Sequence, residues 1–306
     1  MNSNTIVTIG LCALNAGVVL FLSPLYEGIM RKLRAAIHSR KGPPITQPYL
    51  DILKLLGKED LRTARGIIYG MAPALALASV LVLALLVPMG GAPPLGFAGD
   101  VIVVLYVAAM SAVLVMLTAY GSASPYAFIG GSREMMMLLT VEPVLAVALV
   151  VGALKAGTLA TGGIATWQVH HGPSISMTIA AIAFFLALQA QAGKLPFDIP
   201  EADQEIMGGP LIEQSGPRLA LFKWTLWAKQ LVFAFLLVNV FIPWPRLGIL
   251  AADLGLSMVK VFAVLMVVAL IDVVNPRLRI DQSMHYFARL AIASSAGALA
   301  FAVIGR

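Results

Sequence analysis

The chain has 306 residues, of which 59% are apolar and only 12% charged, and its mean hydropathy is +0.90. A soluble domain carries about 25% charged residues, so these values exclude a soluble enzyme and indicate a polytopic membrane protein. The net charge of +6 is unevenly spread along the chain; it reports topology, and nucleic-acid binding is not implied.

A helix that crosses a bilayer needs about 20 apolar residues. In chain order, runs that meet or nearly meet this length occupy residues 5–26, 67–87, 101–120, 138–159, 174–192, 219–242, 249–274 and 286–304. The expectation is an all-α protein with eight transmembrane helices, since these runs are too long and too continuous for barrel strands. The first run has no basic segment before it and no small-residue cleavage site, so it is expected to be a retained span. Residues 1–306 read as one integral membrane domain, without an internal repeat.

Charge orients the spans. The segments 27–66, 121–137, 193–218 and 275–285 together carry fourteen Lys or Arg, nine of them within 31–65, whereas the alternate segments hold only Arg246 and Arg306. By the positive-inside rule the four basic segments face the cytoplasm and both termini face out.

Other chemistry is excluded by what is missing. Cys12 is the only cysteine, so an internal disulfide and a cysteine-ligated iron–sulfur cluster are ruled out. His38, His170, His171 and His285 make no zinc-type spacing, and the adjacent pair 170–171 reads as polar residues of a short loop. No nucleotide-binding glycine motif lies on a plausible strand. No metal or cofactor is expected in this chain, and any redox centre belongs to partner subunits.

The first basic segment is broken at Gly42-Pro43-Pro44, and Pro48 can begin a short amphipathic helix over 49–56 carrying Ile52, Leu53, Leu55 and Leu56 on one face. A docked partner and lipid headgroups each account for that face; the basic run 31–40 can equally hold anionic lipid. In the fourth run, Glu142-Pro143 places a carboxylate about one turn inside the bilayer, a placement that costs about 2.5–3.5 kcal/mol if charged. Glu134 lies eight residues earlier, on nearly the same face of a continuous helix, with Arg133 as a candidate counter-ion. Such acids relay ions or form structural ion pairs. Lys229 and Lys260 each fall about ten residues into a span, where lysines pair with acids or line a wet path. Asp272 lies near the end of the seventh run. Lys155 and Lys223 are close enough to helix ends to snorkel, and Met135-Met136-Met137 reads as packing material.

Five of the fifteen acidic residues fall within sixteen positions between the fifth and sixth runs: Asp198, Glu201, Asp203, Glu205 and Glu213. Pro196 and Pro200 prevent a regular helix before Glu201. From there a helix is allowed, which would put Glu201 and Glu205 on one face. Buried together, they would raise at least one carboxyl pKa.

The stretch Lys194-Leu-Pro-Phe-Asp-Ile-Pro-Glu-Ala-Asp-Gln-Glu resembles the Leu-Pro-Phe-Asp-Leu-x-Glu-x-Glu pattern of the subunit 1 family of respiratory complex I and its hydrogenase relatives. The Gly-Pro-Pro loop after the first run and Ser132-Arg-Glu before Glu142-Pro143 extend the resemblance over essentially the whole chain. Quinone-reducing members continue with aromatic residues where this chain has Pro210 and Gln214. Gly209-Pro-Leu-Ile-Glu-Gln-Ser-Gly216 is instead similar to the branch of formate hydrogenlyase subunit 4 and the hydrogenase-4 membrane anchor, although Gln214 departs from the tyrosine common there.

The resemblance implies a non-catalytic, multi-pass subunit of an energy-converting group 4 [NiFe] hydrogenase in the cell inner membrane. It would anchor an arm of hydrogenase large and small subunits and an iron–sulfur subunit, which hold the [NiFe] centre and clusters, and would join it to antiporter-like membrane subunits. Ion coupling is then expected at Glu142, Asp198, Glu201, Asp203, Glu205 and Glu213, supported by Arg133, Glu134, Lys229, Lys260 and Asp272. Arm docking is expected at Arg34, Arg40, Lys41 and Asp51. The alternative is the quinone-site subunit of an NADH dehydrogenase-type complex. A free-standing ion transporter is disfavoured by the resemblance and the absence of repeats.

Overall fold

The computed structural model describes residues 3–61, 64 and 66–303. The far end of the eighth predicted span at residue 304, and the basic residues Arg62, Arg65 and Arg306, lie outside the described residues. The described chain forms helices α1 (Ser3–Ile37), α2 (Gln47–Leu56), α3 (Ile67–Leu86), α4 (Val101–Gly121), α5 (Pro125–Ala156), α6 (Thr161–His171), α7 (Ile175–Gln191), α8 (Asp203–Ile206), α9 (Gly216–Phe241), α10 (Leu250–Val274) and α11 (Ile280–Val303). A 3-10 turn, Gly209–Leu211, sits between α8 and α9. Six of these helices (α1, α3, α4, α5, α9 and α10) are long and apolar enough to cross a membrane, and α7 is a shorter apolar helix.

The first span is longer than its apolar run. α1 continues to Ile37, so residues 27–37, expected in a cytoplasmic loop, form the charged end of a helix. The segments 121–137 and 275–285 are shortened in the same way, because α5 starts at Pro125 and α11 at Ile280. Hydropathy marks where lipid ends; hydrogen bonding marks where a helix ends, and the two differ by up to three turns here. The pair His170-His171 closes α6 and is not in a loop, with the His171 ring stacked on Trp167 at 4.3 Å.

α9 is the hub. From Trp227 to Phe241 every residue is buried, and the helix packs on α1, α2, α3, α6, α7 and α10. α5 is the second hub, against α4, α7 and α11. Pro24 interrupts α1, removing the N–H that the Leu20 carbonyl would accept from. Trp224 Nε1 of α9 donates to that carbonyl at 3.0 Å, and the Tyr49 hydroxyl of α2 donates to the neighbouring Phe21 carbonyl. A proline inside a membrane helix is tolerated when neighbouring helices satisfy the freed groups. Here that requirement fastens α1 to α9 and α2.

Candidate functional site

Residues 192–215 fold back over the ends of α1, α5, α9 and α10 and are held by charge. Lys194 Nζ reaches Glu27 Oε2 at 3.1 Å, and Arg31 Nε reaches Glu27 Oε1 at 3.1 Å. Arg31 Nη1 extends to Asp51 Oδ2 of α2, also at 3.1 Å, and its guanidinium lies 5.4 Å from the Trp227 ring. Asp272 of α10 accepts from the Leu195 backbone N–H at 2.9 Å and pairs with Arg34. A buried carboxylate requires such partners. The irregular stretch that follows is packed by Phe197 against the rings of Phe287 and Tyr286, at 4.8 and 5.7 Å. Close approach of the turn at Gly209 explains Gly130 of α5: a Cβ at Gly130 would sit 2.6 Å from Pro210 atoms. Gly209 itself adopts φ +54°, a left-handed conformation suited to glycine.

Three cavities meet in this region. A cavity of about 480 Å³ is lined by nine charged residues: Glu27, Arg31, Arg34, Lys194, Asp198, Glu201, Asp203, Lys223 and Asp272. Two smaller cavities of about 40 and 30 Å³ lie deeper, and both are lined by Glu134, Pro200, Glu201 and Lys229. Each exceeds the roughly 10–15 Å³ that a water molecule needs in a polar site. Glu201 and Leu226 line all three, and Glu201 is the shared residue that can ionise.

Burial pushes the Glu201 carboxyl up to about 7, reinforced by the negative charge of Asp198 and opposed by Lys194. Burial likewise raises Asp198, one of whose buried oxygens has no hydrogen-bond partner. The predicted Glu201–Glu205 pair does not form. α8 begins only at Asp203, and Glu205 turns outward, 55% exposed, to Arg133 Nη1 at 2.7 Å and Arg277 Nη1 at 3.6 Å. The hydrogen bond from Arg133, with Arg277 second, holds the Glu205 carboxyl below its usual value. Arg133 is therefore the counter-ion of Glu205 and not of Glu134 or Glu142; those two face buried Lys229.

The remaining candidates separate. Asp203 lines the large cavity and is exposed. Glu213 lines none of these three cavities; its backbone carbonyl accepts from the Tyr69 hydroxyl at 3.1 Å. Lys260, expected within a wet path or beside an acid, bonds the Ile242 carbonyl at 3.1 Å, at the opposite end of α9 from the acidic loop. Asp272 and Arg34 are committed to each other, and Asp51 to Arg31 and Gln47. That leaves Arg40 and Lys41 as the exposed members of the expected docking set. Sequence reasoning missed Glu27, Lys194 and Arg277. The i, i+4 spacing of Glu27 and Arg31 was the available signal, hidden by treating residues 27–66 as loop.

Among the described residues no cluster of three or more His, Cys, Asp or Glu could hold a metal ion. The sequence profile of the family described as NADH dehydrogenase matches residues 9–303. Formate hydrogenlyase subunit 4 of Escherichia coli K12 is 37% identical over 278 residues, covering 88% of this chain and 90% of that protein. Hydrogenase-4 component C of the same organism is 36% identical, covering 84% of each. In the structure of the membrane-bound sulfane sulfur reductase, an archaeal respiratory membrane complex, a chain 32% identical superposes with a TM-score of 0.88, covering 95% of this chain and 98% of that one. With this match spanning nearly its whole length, the chain belongs to the NADH dehydrogenase subunit 1 family of multi-pass membrane proteins.

Proposed function

We propose that this chain is the membrane-anchor and ion-coupling subunit of an energy-converting [NiFe] hydrogenase complex. The relatedness to formate hydrogenlyase subunit 4 and hydrogenase-4 component C supports the choice of branch. In this reading the chain makes eight spans with both termini outside, which puts the acidic loop on the cytoplasmic side of the inner membrane. There Arg40, Lys41 and the Arg133–Glu205–Arg277 surface meet the peripheral arm of large, small and iron–sulfur subunits, whose [NiFe] centre and clusters carry the redox chemistry. Antiporter-like subunits flank the membrane side.

The observation that carries the coupling role is the position of Glu201. It lines both a charged cavity and the two water-sized cavities that reach Glu134 and Lys229, and burial pushes its carboxyl up to about 7. A group with a pKa near the working pH takes up and releases protons with little bias. A change of charge or shape in the docked arm, transmitted through Lys194 and Asp198, would alter the Glu201 proton affinity and pass a proton toward Glu134 and Glu142. Glu213, set apart from the cavities, acts in loop shape and not in transfer.

The test is the tagged complex purified in mild detergent, assayed for nickel and for hydrogen evolution with reduced methyl viologen, in wild type and Glu201→Gln. Nickel and hydrogen evolution, with ion movement lost in the variant, support the reading. Inhibitor-sensitive quinone reduction without nickel overturns the branch, and undiminished ion movement in Glu201→Gln overturns the coupling role.

A further inference from the structure

At the end of the bundle opposite the acidic loop, a groove of about 400 Å³ opens between α6, α7, α9 and α10. Its walls are Met177, Ile182, Phe185, Leu237, Phe241 and Val264. Met177 to Phe185 spans about 12 Å along α7 at 1.5 Å per residue. That is close to one leaflet of a hydrocarbon core about 30 Å thick. The groove therefore has the depth and apolarity of an acyl-chain site.

Gln168, Thr178 and Trp244 give the groove a polar edge, and Lys260 lies just outside its lining, beside Ile242. Gln168 is 1% exposed; its Nε2 donates to the Phe241 carbonyl at 3.4 Å, while its Oε1 has no partner. A buried acceptor left unmade is uncommon and calls for a donor. At the next carbonyl, Ile242, Lys260 Nζ is held at 3.1 Å, with Arg246 within electrostatic reach of it. Asp253 is also within electrostatic reach of Lys260, while its two oxygens accept from the backbone N–H groups of Leu247 and Gly248, at 2.7 and 3.2 Å. Neither Lys260 nor Arg246 makes an ion pair among the described residues. Trp244, whose indole donates to the Val169 carbonyl at 3.4 Å, closes the rim, a common position for tryptophan at a membrane interface.

We infer that this groove binds one anionic, glycerol-headed phospholipid from the leaflet opposite the acidic loop, its phosphate at Lys260 and Arg246, a headgroup hydroxyl donating to Gln168 and one acyl chain in the groove. The site stands apart from the coupling residues and does not depend on the reading above. It gives Lys260, whose depth in the sequence pointed to ion transfer, a headgroup-binding role.

The complex is reconstituted in nanodiscs of equal parts phosphatidylglycerol and phosphatidylcholine, and the lipid retained after detergent stripping is counted by native mass spectrometry. Phosphatidylglycerol should be retained preferentially. Lys260→Gln with Arg246→Gln should lower that preference by roughly five-fold per cation removed, leaving phosphatidylcholine unaffected. Ala181→Phe, which fills the groove wall, should expel both lipids; it decides the matter alone if the double variant does not assemble. Equal retention of the two lipids, a preference that survives the double variant, or cross-linking of the groove to another subunit would overturn the proposal.

Discussion

The two halves of the acidic loop both carry carboxylates, two in the first and three in the second, and have opposite electrostatics. In the first, residues 194–201, Phe197 and Ile199 are buried and pin the backbone, so Glu201 is drawn away from water and shares its cavity with Asp198. In the second, residues 202–213, Asp203, Glu205 and Met207 are exposed, and two arginines converge on Glu205. One carboxyl rises to about 7 while the other is held low. The difference teaches that acid density alone says little about titration: desolvation raises a carboxyl, a guanidinium lowers it, and packing decides which one a residue meets.

The largest effect should come from the first half. Glu201→Gln should reduce ion movement by about 10²-fold, the low end of what a positioned proton-transfer group contributes, and abolish an inflection near pH 7 in the rate profile. The same variant tests the sign of the linkage. A carboxyl raised on folding stabilises the folded protein below its unfolded value of 4.5, and that contribution is lost as pH rises through about 7. Calorimetry should therefore find the variant more stable than wild type at about pH 8 and nearly equal to it at about pH 4. A stability difference independent of pH would remove the assignment.

Next in size is the clamp that sets the first half in place. Asp272→Ala strands the Leu195 N–H and the Arg34 guanidinium, one of whose nitrogens already lacks a partner. Because Arg34 is partly exposed, a loss of about 2–3 kcal/mol is expected, read from thermal unfolding in detergent, with coupling impaired in parallel. Asp198→Asn is subtler. Removing that negative charge favours ionised Glu201, so the inflection should move toward acid with assembly unchanged; a shift toward alkali would mean that Asp198 acts through loop geometry.

The smallest effect belongs to the second half. Glu205→Gln breaks an exposed pair worth about 0–1 kcal/mol and should leave the inflection near pH 7 in place. Any change should appear in retention of the peripheral arm during purification. Loss of ion movement with the arm retained would show that the two halves work as one unit.

Membrane class, the α-helical architecture and the family were legible in the sequence because lipid imposes long apolar runs and the Leu-Pro-Phe-Asp stretch is specific. The acidic loop was legible as the place to look, since a cluster of carboxylates against a greasy background has few explanations. Which acid is half-buried and which exposed was not. Glu201 and Glu205 have the spacing of a shared helix face, but the chain turns at Pro200 and Ala202 and the helix starts after Glu201, so the two point into different media. Arg133 stands beside Glu134 in sequence and bonds Glu205 seventy-two residues away, and Glu27 meets Lys194 at a separation of 167. Local periodicity determined the elements and their environment. Partner choice among charges, and with it every titration and cavity here, arises from contacts between distant segments, which only the packed helices could decide.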